Sequence, residues 1–137
     1  AEMRAVTETL TVILIENPDW ENGQSTSLIA GVNAAAENAD RACLLLGDQP
    51  FLKAETLAAL LAASDEHPSE IVVPFYQSKR GNPIIVPSRY YDLLVKLSQG
   101  DTGGKKLLES VGYFSLSVND PGILRDIDTI EELKKYV

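Results

Sequence analysis

Apolar residues fall in short dense runs separated by polar stretches bearing glycine and proline, and the runs alternate between two periodicities. Residues 9–16, TLTVILIE, form a β-branched apolar run and predict a strand. Over 26–38, Leu28, Ile29, Val32, Ala35 and Ala36 recur at helical spacing, with Ser25 or Thr26 available to cap the start. RACLLL at 41–46 is apolar almost throughout and predicts a strand covered on both faces. The Ala- and Leu-rich segment 54–65 predicts a helix. EIVVPF at 70–75 predicts a third strand that ends or bends at Pro74. The polar turn QSKRGN leads to a short strand, PIIVP, at 83–87. Helical patterns follow at 88–97 and 105–111, a strand at 113–118, a DPGIL turn, and a closing helix in TIEELKKY. Strands alternating with helices predict an α/β sandwich with a mostly parallel sheet, in which ligands gather at the carboxyl ends of the strands.

A chain of 137 residues is long enough for one domain with a real core, so 1–137 is read as a single domain. It carries no internal repeat, low-complexity stretch, secretory signal pattern or apolar run long enough to span a membrane. The formal charge of −8 argues against a nucleic-acid surface, though not against a nucleotide held through a metal ion. The single cysteine, Cys43, lies in an apolar run, which fits a buried thiol and a reducing, cytoplasmic setting. One histidine and one cysteine are too few for a Cys/His zinc site, and His67, in a polar helix exit, is not read as a triad member.

The strand-end rule sorts the loops. Gly47-Asp48-Gln49-Pro50 follows the apolar strand directly. An aspartate there can face a crevice and ligate Mg²⁺, with Gly47 permitting close backbone approach and Pro50 stiffening the exit. An Asx turn between strand and helix accounts for the same residues. Asp126 and Asp128 alternate along an extended segment and so point the same way, offering carboxylates to complement Asp48. Asp128 with Glu131, or Thr129 with Glu132, would also form a capping box for the last helix. Lys79-Arg80-Gly81-Asn82-Pro83 gathers cations, a glycine and an amide in one turn that reads equally as a solvated hairpin. Glycines and two lysines at 100–106 open a helix whose free N–H groups suit phosphate, without Walker spacing. The hydroxyls of 17–27 suit capping, substrate binding or both; Trp20 reads as a packing anchor and His67 as exposed and idle.

Taken in order, NPDW with GQSTSL, LLLGDQP, RGNP, GDTGGKKLL and DIDT resemble the MobA-like nucleotidyltransferases, most nearly the molybdenum cofactor cytidylyltransferase (MocA-like) branch. The match covers nearly the whole chain. The resemblance implies a Rossmann-like three-layer α/β sandwich of nucleotidyltransferase type. It implies transfer of a cytidylyl group from CTP to the phosphate of molybdopterin, with release of pyrophosphate and dependence on Mg²⁺ or Mn²⁺. By that resemblance Asp48 and Asp128 are catalytic, and Asp48, Asp126 and Asp128 hold the metal. Ser25, Ser27, Gly47, Gln49, Pro50, Arg80, Gly81, Asn82, Pro83, Asp101, Gly103 and Lys105 line the nucleotide and pterin crevice. A molybdoenzyme would receive the product. Such chemistry needs positioning and charge neutralisation more than an elaborate acid–base set.

Two departures qualify the resemblance. Lys105 stands where relatives carry arginine, replacing a bidentate fork by a point charge. The family's opening strand and glycine-rich triphosphate loop have no counterpart, and AEMRAVTETL leads straight into what resembles its third strand. The domain is therefore read as N-terminally incomplete, lacking the first two strands, which would lie between the 9–16 and 41–46 strands. The 9–16 strand then has no neighbour, and its backbone groups go unpaired. A longer native protein, a partner or second copy completing the sheet, or a rearranged core would each answer that gap. In every case the chain alone should bind CTP poorly. Two other functions fit the same residues: a related transferase using GTP or a sugar phosphate, and a non-catalytic remnant that binds the pterin cofactor.

Overall fold

The computed structural model describes residues 6–100 and 103–137. A 3₁₀ turn at Trp20–Asn22 leads into helix α1 (Gln24–Ala36), strand β1 (Arg41–Leu44) and helix α2 (Ala54–Glu66). Strand β2 (Val72–Tyr76) turns back into β3 (Lys79–Arg80) and β4 (Ile84–Pro87). Helices α3 (Tyr91–Leu97) and α4 (Gly103–Val111), strand β5 (Phe114–Ser117), a 3₁₀ turn at Pro121–Leu124 and helix α5 (Ile130–Leu133) complete the chain.

The alternation along the strands divides the core in two. Ile71 and Val73, with Ile84 and Val86, face one side and pack with Val32 of α1, Tyr91 and Leu94 of α3, and Leu107 and Leu108 of α4. Val72 and Ile85 face the other side and pack with Leu60 and Ala63 of α2. Each fully buried Val, Leu or Ile contributes on the order of 1.5–3 kcal/mol. Helices on both faces of one sheet make the three-layer α/β sandwich that the family resemblance implies.

The strand directions differ from expectation. The sheet runs β1-β4-β2-β3, with β5 on the opposite edge of β2. β4 is antiparallel to both β1 and β2, β3 is antiparallel to β2, and β5 alone pairs in parallel, with β2. The mostly parallel sheet is therefore corrected to a mixed one. β1, β2 and β5, each separated by helices, do share one direction. The reversed strand lies between β1 and β2 because the link from Tyr76 to Ile84 is too short for a helical crossover. It is a hairpin instead, turning on Gln77 (φ 47°) and Ser78 (φ 64°). Left-handed φ at both central residues matches the twist of the flanking strands. Pro74 is tolerated mid-strand because its missing N–H falls where β4 gives way to β3, and there its carbonyl still accepts from the Gly81 N–H at 3.0 Å.

Residues 9–16 are the second correction. They join no strand, and Val12, Ile13, Leu14 and Ile15 are exposed. A β-branched run forms a strand only beside a partner that pairs its backbone, and no described segment supplies one. β1 is correspondingly an edge strand, half-buried along its length rather than covered on both faces. Trp20 is 66% exposed and so is not a buried packing anchor. His67 is not idle: its ring stacks on Phe114 with centroids 3.8 Å apart and its Nδ1 lies 2.9 Å from a Glu70 carboxylate oxygen. Among the described residues no helix is long and apolar enough to cross a membrane.

Candidate functional site

The antiparallel register of β1 and β4 pairs Leu44 with Ile84 and so sets the exit of β1 beside the entry to β4. The segment after β5 closes over the same edge. The backbone N–H of Asn82 donates to the Ile123 carbonyl at 3.0 Å, and that of Ile127 donates to the Asp48 carbonyl at 2.8 Å. The 47–50 loop and the 79–83 turn that the sequence singles out, and the segment from Ile123 into Asp126–Thr129, therefore meet at the carboxyl ends of β1 and β5. Two glycines permit the approach. A Cβ on Gly81 would lie 2.5 Å from the Ile123 carbonyl oxygen, and one on Gly122 would lie 2.2 Å from that of Phe51. The Asn82–Pro83 bond is cis.

Two polar groups tie this junction from beneath. Asp120 is 1% exposed. Its Oδ1 accepts from the Gly122 N–H at 2.8 Å; its Oδ2 accepts from the Thr56 hydroxyl at 2.6 Å and the Lys53 N–H at 3.0 Å. Burial alone would push this carboxyl up. The bonds from Thr56, Lys53 and Gly122, with the Lys53 charge, outweigh it and hold the group below the usual aspartate range. Gln49 is also buried, and its Nε2 donates to Asp126 Oδ1 at 2.6 Å and to the Ile123 carbonyl at 3.5 Å. The Arg125 guanidinium lies 4.1 Å from the Phe51 ring centroid and 5.0 Å from that of Tyr136, and it donates to the Tyr136 hydroxyl. The C-terminal segment is thereby held against the exit of the 47–50 loop.

Beside the junction a cavity of about 710 Å³ opens between α1 and the free edge of β1. Ser25, Ser27, Gly47, Asn82 and Gly104 contribute its polar and small-residue side, while Leu28, Val32 and the β1 side chains form its apolar floor. Gly31, Gly47 and Gly104 all line it, and a Cβ on any of them would meet nothing within 4 Å. Nothing in the packing of the described residues requires glycine there, whereas a ligand approaching the backbone would. Cys43 lines the same cavity half-buried, and burial pushes its thiol up, so it is a poor nucleophile.

The individual residues sort clearly. Ser25 is buried in the first turn of α1, and Ser27 is exposed and accepts from Asn17 Nδ2 at 2.9 Å. Neither Ser25 nor Thr26 caps the helix: Gly23 occupies that position, and the Thr26 hydroxyl donates back to its carbonyl at 2.8 Å. Asp48, Pro50, Asp126 and Asp128 are exposed, while Gln49, Gly81 and Pro83 are buried. Among the described residues the Asp48 carboxylate makes no Asx-turn hydrogen bond. The last helix is capped by Thr129, whose Oγ1 accepts from the Glu132 N–H at 3.1 Å, leaving Asp128 outside the cap. Arg80 is exposed on β3; Gly103 opens α4; Lys105 is exposed and sits 3.9 Å from Glu109. Asp101 lies outside the described residues. Asp120 is the residue sequence reasoning missed. Its signal was present, an aspartate directly before Pro-Gly, the pattern of a cap followed by proline at the first helical position.

The chain is similar to several known proteins. Nicotine blue oxidoreductase from Paenarthrobacter nicotinovorans is 26% identical over 133 residues, covering 90% of this chain and 64% of its own length. The purine catabolism protein PucB of Bacillus subtilis strain 168 is 37% identical over 118 residues, covering 83% of this chain and 56% of its own. The chain thus spans less than two thirds of the length of these curated relatives. The crystal structure of an Rv0371c homolog from Mycobacterium sp. strain JC1 superposes with a TM-score of 0.67 at 28% identity, covering 82% of this chain and 56% of that one. Rv0371c from Mycobacterium tuberculosis H37Rv in complex with manganese gives a TM-score of 0.57 at 26% identity, over 77% of this chain and 58% of that one. The family model of the MobA-like NTP transferase domain matches residues 1–116, and the chain belongs to that family.

Proposed function

We propose that this domain takes part in divalent-metal-dependent nucleotidyl transfer from CTP to the phosphate of molybdopterin. An acceptor phosphate oxygen attacks the α-phosphorus, the bond from that phosphorus to the bridging oxygen breaks, and pyrophosphate leaves. The observation that carries the reading is the joining of the Asp48 loop to the Asp126–Asp128 segment by the Ile127 N–H and the Gln49 amide. That juxtaposition sets the Asp48 loop against the segment that bears Asp126 and Asp128, outside the carboxyl ends of the strands where α/β folds bind ligands.

The donor set fits the metal. Asp48, Asp126 and Asp128 offer hard oxygen donors, and among the described residues no cluster of three or more metal-binding side chains forms. Mg²⁺ and Mn²⁺ in phosphoryl chemistry use one or two carboxylates and complete their shell with phosphate and water. The manganese complex of Rv0371c supports the same choice. Asp48, with Asp126 and Asp128, would hold the ion, which when bound neutralises charge on the triphosphate. Ser25, Ser27, Gly47 and Asn82 would shape the crevice; Arg80, Asp101, Gly103 and Lys105 would serve the phosphates and pterin from its rim. A molybdoenzyme would accept the product, and the setting would be cytoplasmic.

Pyrophosphate release from CTP, with molybdopterin and Mg²⁺, tests the proposal. Release by a protein containing this domain, lost in Asp48→Ala and not sustained by GTP, is the expected result. Release with GTP or a sugar phosphate instead would move the substrate to a related transferase. One observation favours a second reading. Among the described residues the outer edge of β1 is unpaired and an apolar groove lies open beside it, a setting that also suits binding of the cofactor without transfer. Molybdopterin binding without any pyrophosphate release would establish that reading in place of the first.

A further inference from the structure

We infer that Gln49 is a positioning residue, one that orients the Asp126 carboxylate toward a divalent ion shared with Asp48 rather than touching substrate itself; this rests on the metal-dependent reading above. Gln49 is only 8% exposed although the two aspartates it stands between in this junction, Asp48 and Asp126, are exposed. Its amide is committed. The two groups it faces, Asp126 Oδ1 at 2.6 Å and the Ile123 carbonyl at 3.5 Å, are both acceptors, so the NH₂ end must face them and both of its hydrogens are spoken for.

The geometry has a chemical consequence. Restraining one oxygen of an exposed carboxylate fixes its plane and leaves the other oxygen available as a ligand. The Ile127 N–H, one residue on, holds the Asp48 carbonyl at 2.8 Å. The segments that carry the two aspartates are therefore joined through two independent hydrogen bonds, Ile127 N–H to the Asp48 carbonyl and the Gln49 amide to Asp126. The backbone bond sets the separation of the loops. The Gln49 bond sets the rotamer of Asp126, which the backbone alone would leave free at the surface. Outer partners of this kind commonly control metal affinity as strongly as a ligand does.

The test is Mn²⁺ affinity, measured by the electron paramagnetic resonance signal of free Mn²⁺ during titration of a protein containing this domain. Gln49→Met keeps the side-chain volume and removes the donor, and should weaken Mn²⁺ binding by about 10–100-fold. In an Asp126→Asn background the same substitution should have no further effect, because Gln49 acts through that carboxylate. A merely structural role would not produce such non-additivity. Unchanged Mn²⁺ affinity in folded Gln49→Met, or additive losses in the double variant, would overturn the inference. Asp48→Asn separates the two levels. If it leaves Mn²⁺ binding intact, the metal reading itself fails; if it abolishes binding while Gln49→Met does not weaken it, only the role of Gln49 fails. Should Gln49→Met not fold, Gln49→Asn, one methylene too short to span to Asp126, runs the same cycle: non-additive weakening supports the role, and unchanged or additive affinity overturns it.

Discussion

Replacing Asp120 with alanine removes the acceptor for three donors at once, the Thr56 hydroxyl and the Lys53 and Gly122 N–H groups. A hydrogen bond to a charged group is worth about 1.5–3 kcal/mol, and a buried donor left unpaired costs a similar amount. Three such terms do not add fully, because water can enter the space a deleted carboxylate leaves. A loss of about 3–5 kcal/mol follows, the scale found when a buried polar network is broken. Asp120→Asn should cost less, about 1–3 kcal/mol: its oxygen can take the place of Oδ2 and serve two donors, but its NH₂ then opposes the Gly122 N–H. Urea unfolding followed by circular dichroism reads the difference. With a slope of about 1.5 kcal/mol/M, the alanine variant should lose roughly 2–3 M in midpoint at unchanged slope.

The same residue sets a pH signature. Its folded-state pKa lies below the unfolded value of about 3.9, so its contribution is complete above that value and is lost as pH falls toward the folded pKa. The stability gap between the natural chain and Asp120→Asn should therefore be constant from neutral pH down to about 5 and shrink below about 4. A loss under about 1 kcal/mol for Asp120→Ala, or a gap that grows on acidification, would refute the account of Asp120 as the anchor of this junction.

The glycines separate packing from ligand space. Gly81→Ala and Gly122→Ala drive a Cβ to 2.5 Å and 2.2 Å from carbonyl oxygens and should each lower stability by about 2 kcal/mol or more, read as a fall in Tm. Gly31→Ala, in the middle of α1 with open space around it, should instead raise stability by about 0.5–1 kcal/mol; a fall in Tm would mean that the cavity wall is packed. Among the described residues the outer edge of β1 is unpaired and the run at 12–15 is exposed, which predicts self-association through that edge. Multi-angle light scattering should give a mass above 14.9 kDa that falls on dilution, and a constant 14.9 kDa at all concentrations would refute it.

What the sequence disclosed, and what it withheld, follows from the range over which each feature is decided. The helices α1, α2 and α4 and the strands β1, β2 and β5 are written in local periodicity, and the sequence places them within a few residues. The direction of β4 is not local. It depends on the span from Tyr76 to Ile84 being too short to cross over, and the QSKRGN turn inside that span shows only as local punctuation. The run at 9–16 fails for the complementary reason. Its residues want a strand, but strand formation is a property of two segments, and only one is present among the described residues. The candidate site divides along the same line. Asp48, Asp126 and Asp128 can be proposed from sequence because carboxylates just past strand-like runs stand out locally. Asp120 and the Gln49–Asp126 bond cannot be, since burial and partnership across 64 and 77 positions of sequence emerge only when the sheet brings the loops together. Thr129 resolves what sequence leaves open between two capping pairs: by taking the cap itself, it leaves Asp128 outside any role in the helix end. The metal reading proposed above needs such a carboxylate: exposed, outside the cap, and two residues from one that Gln49 binds.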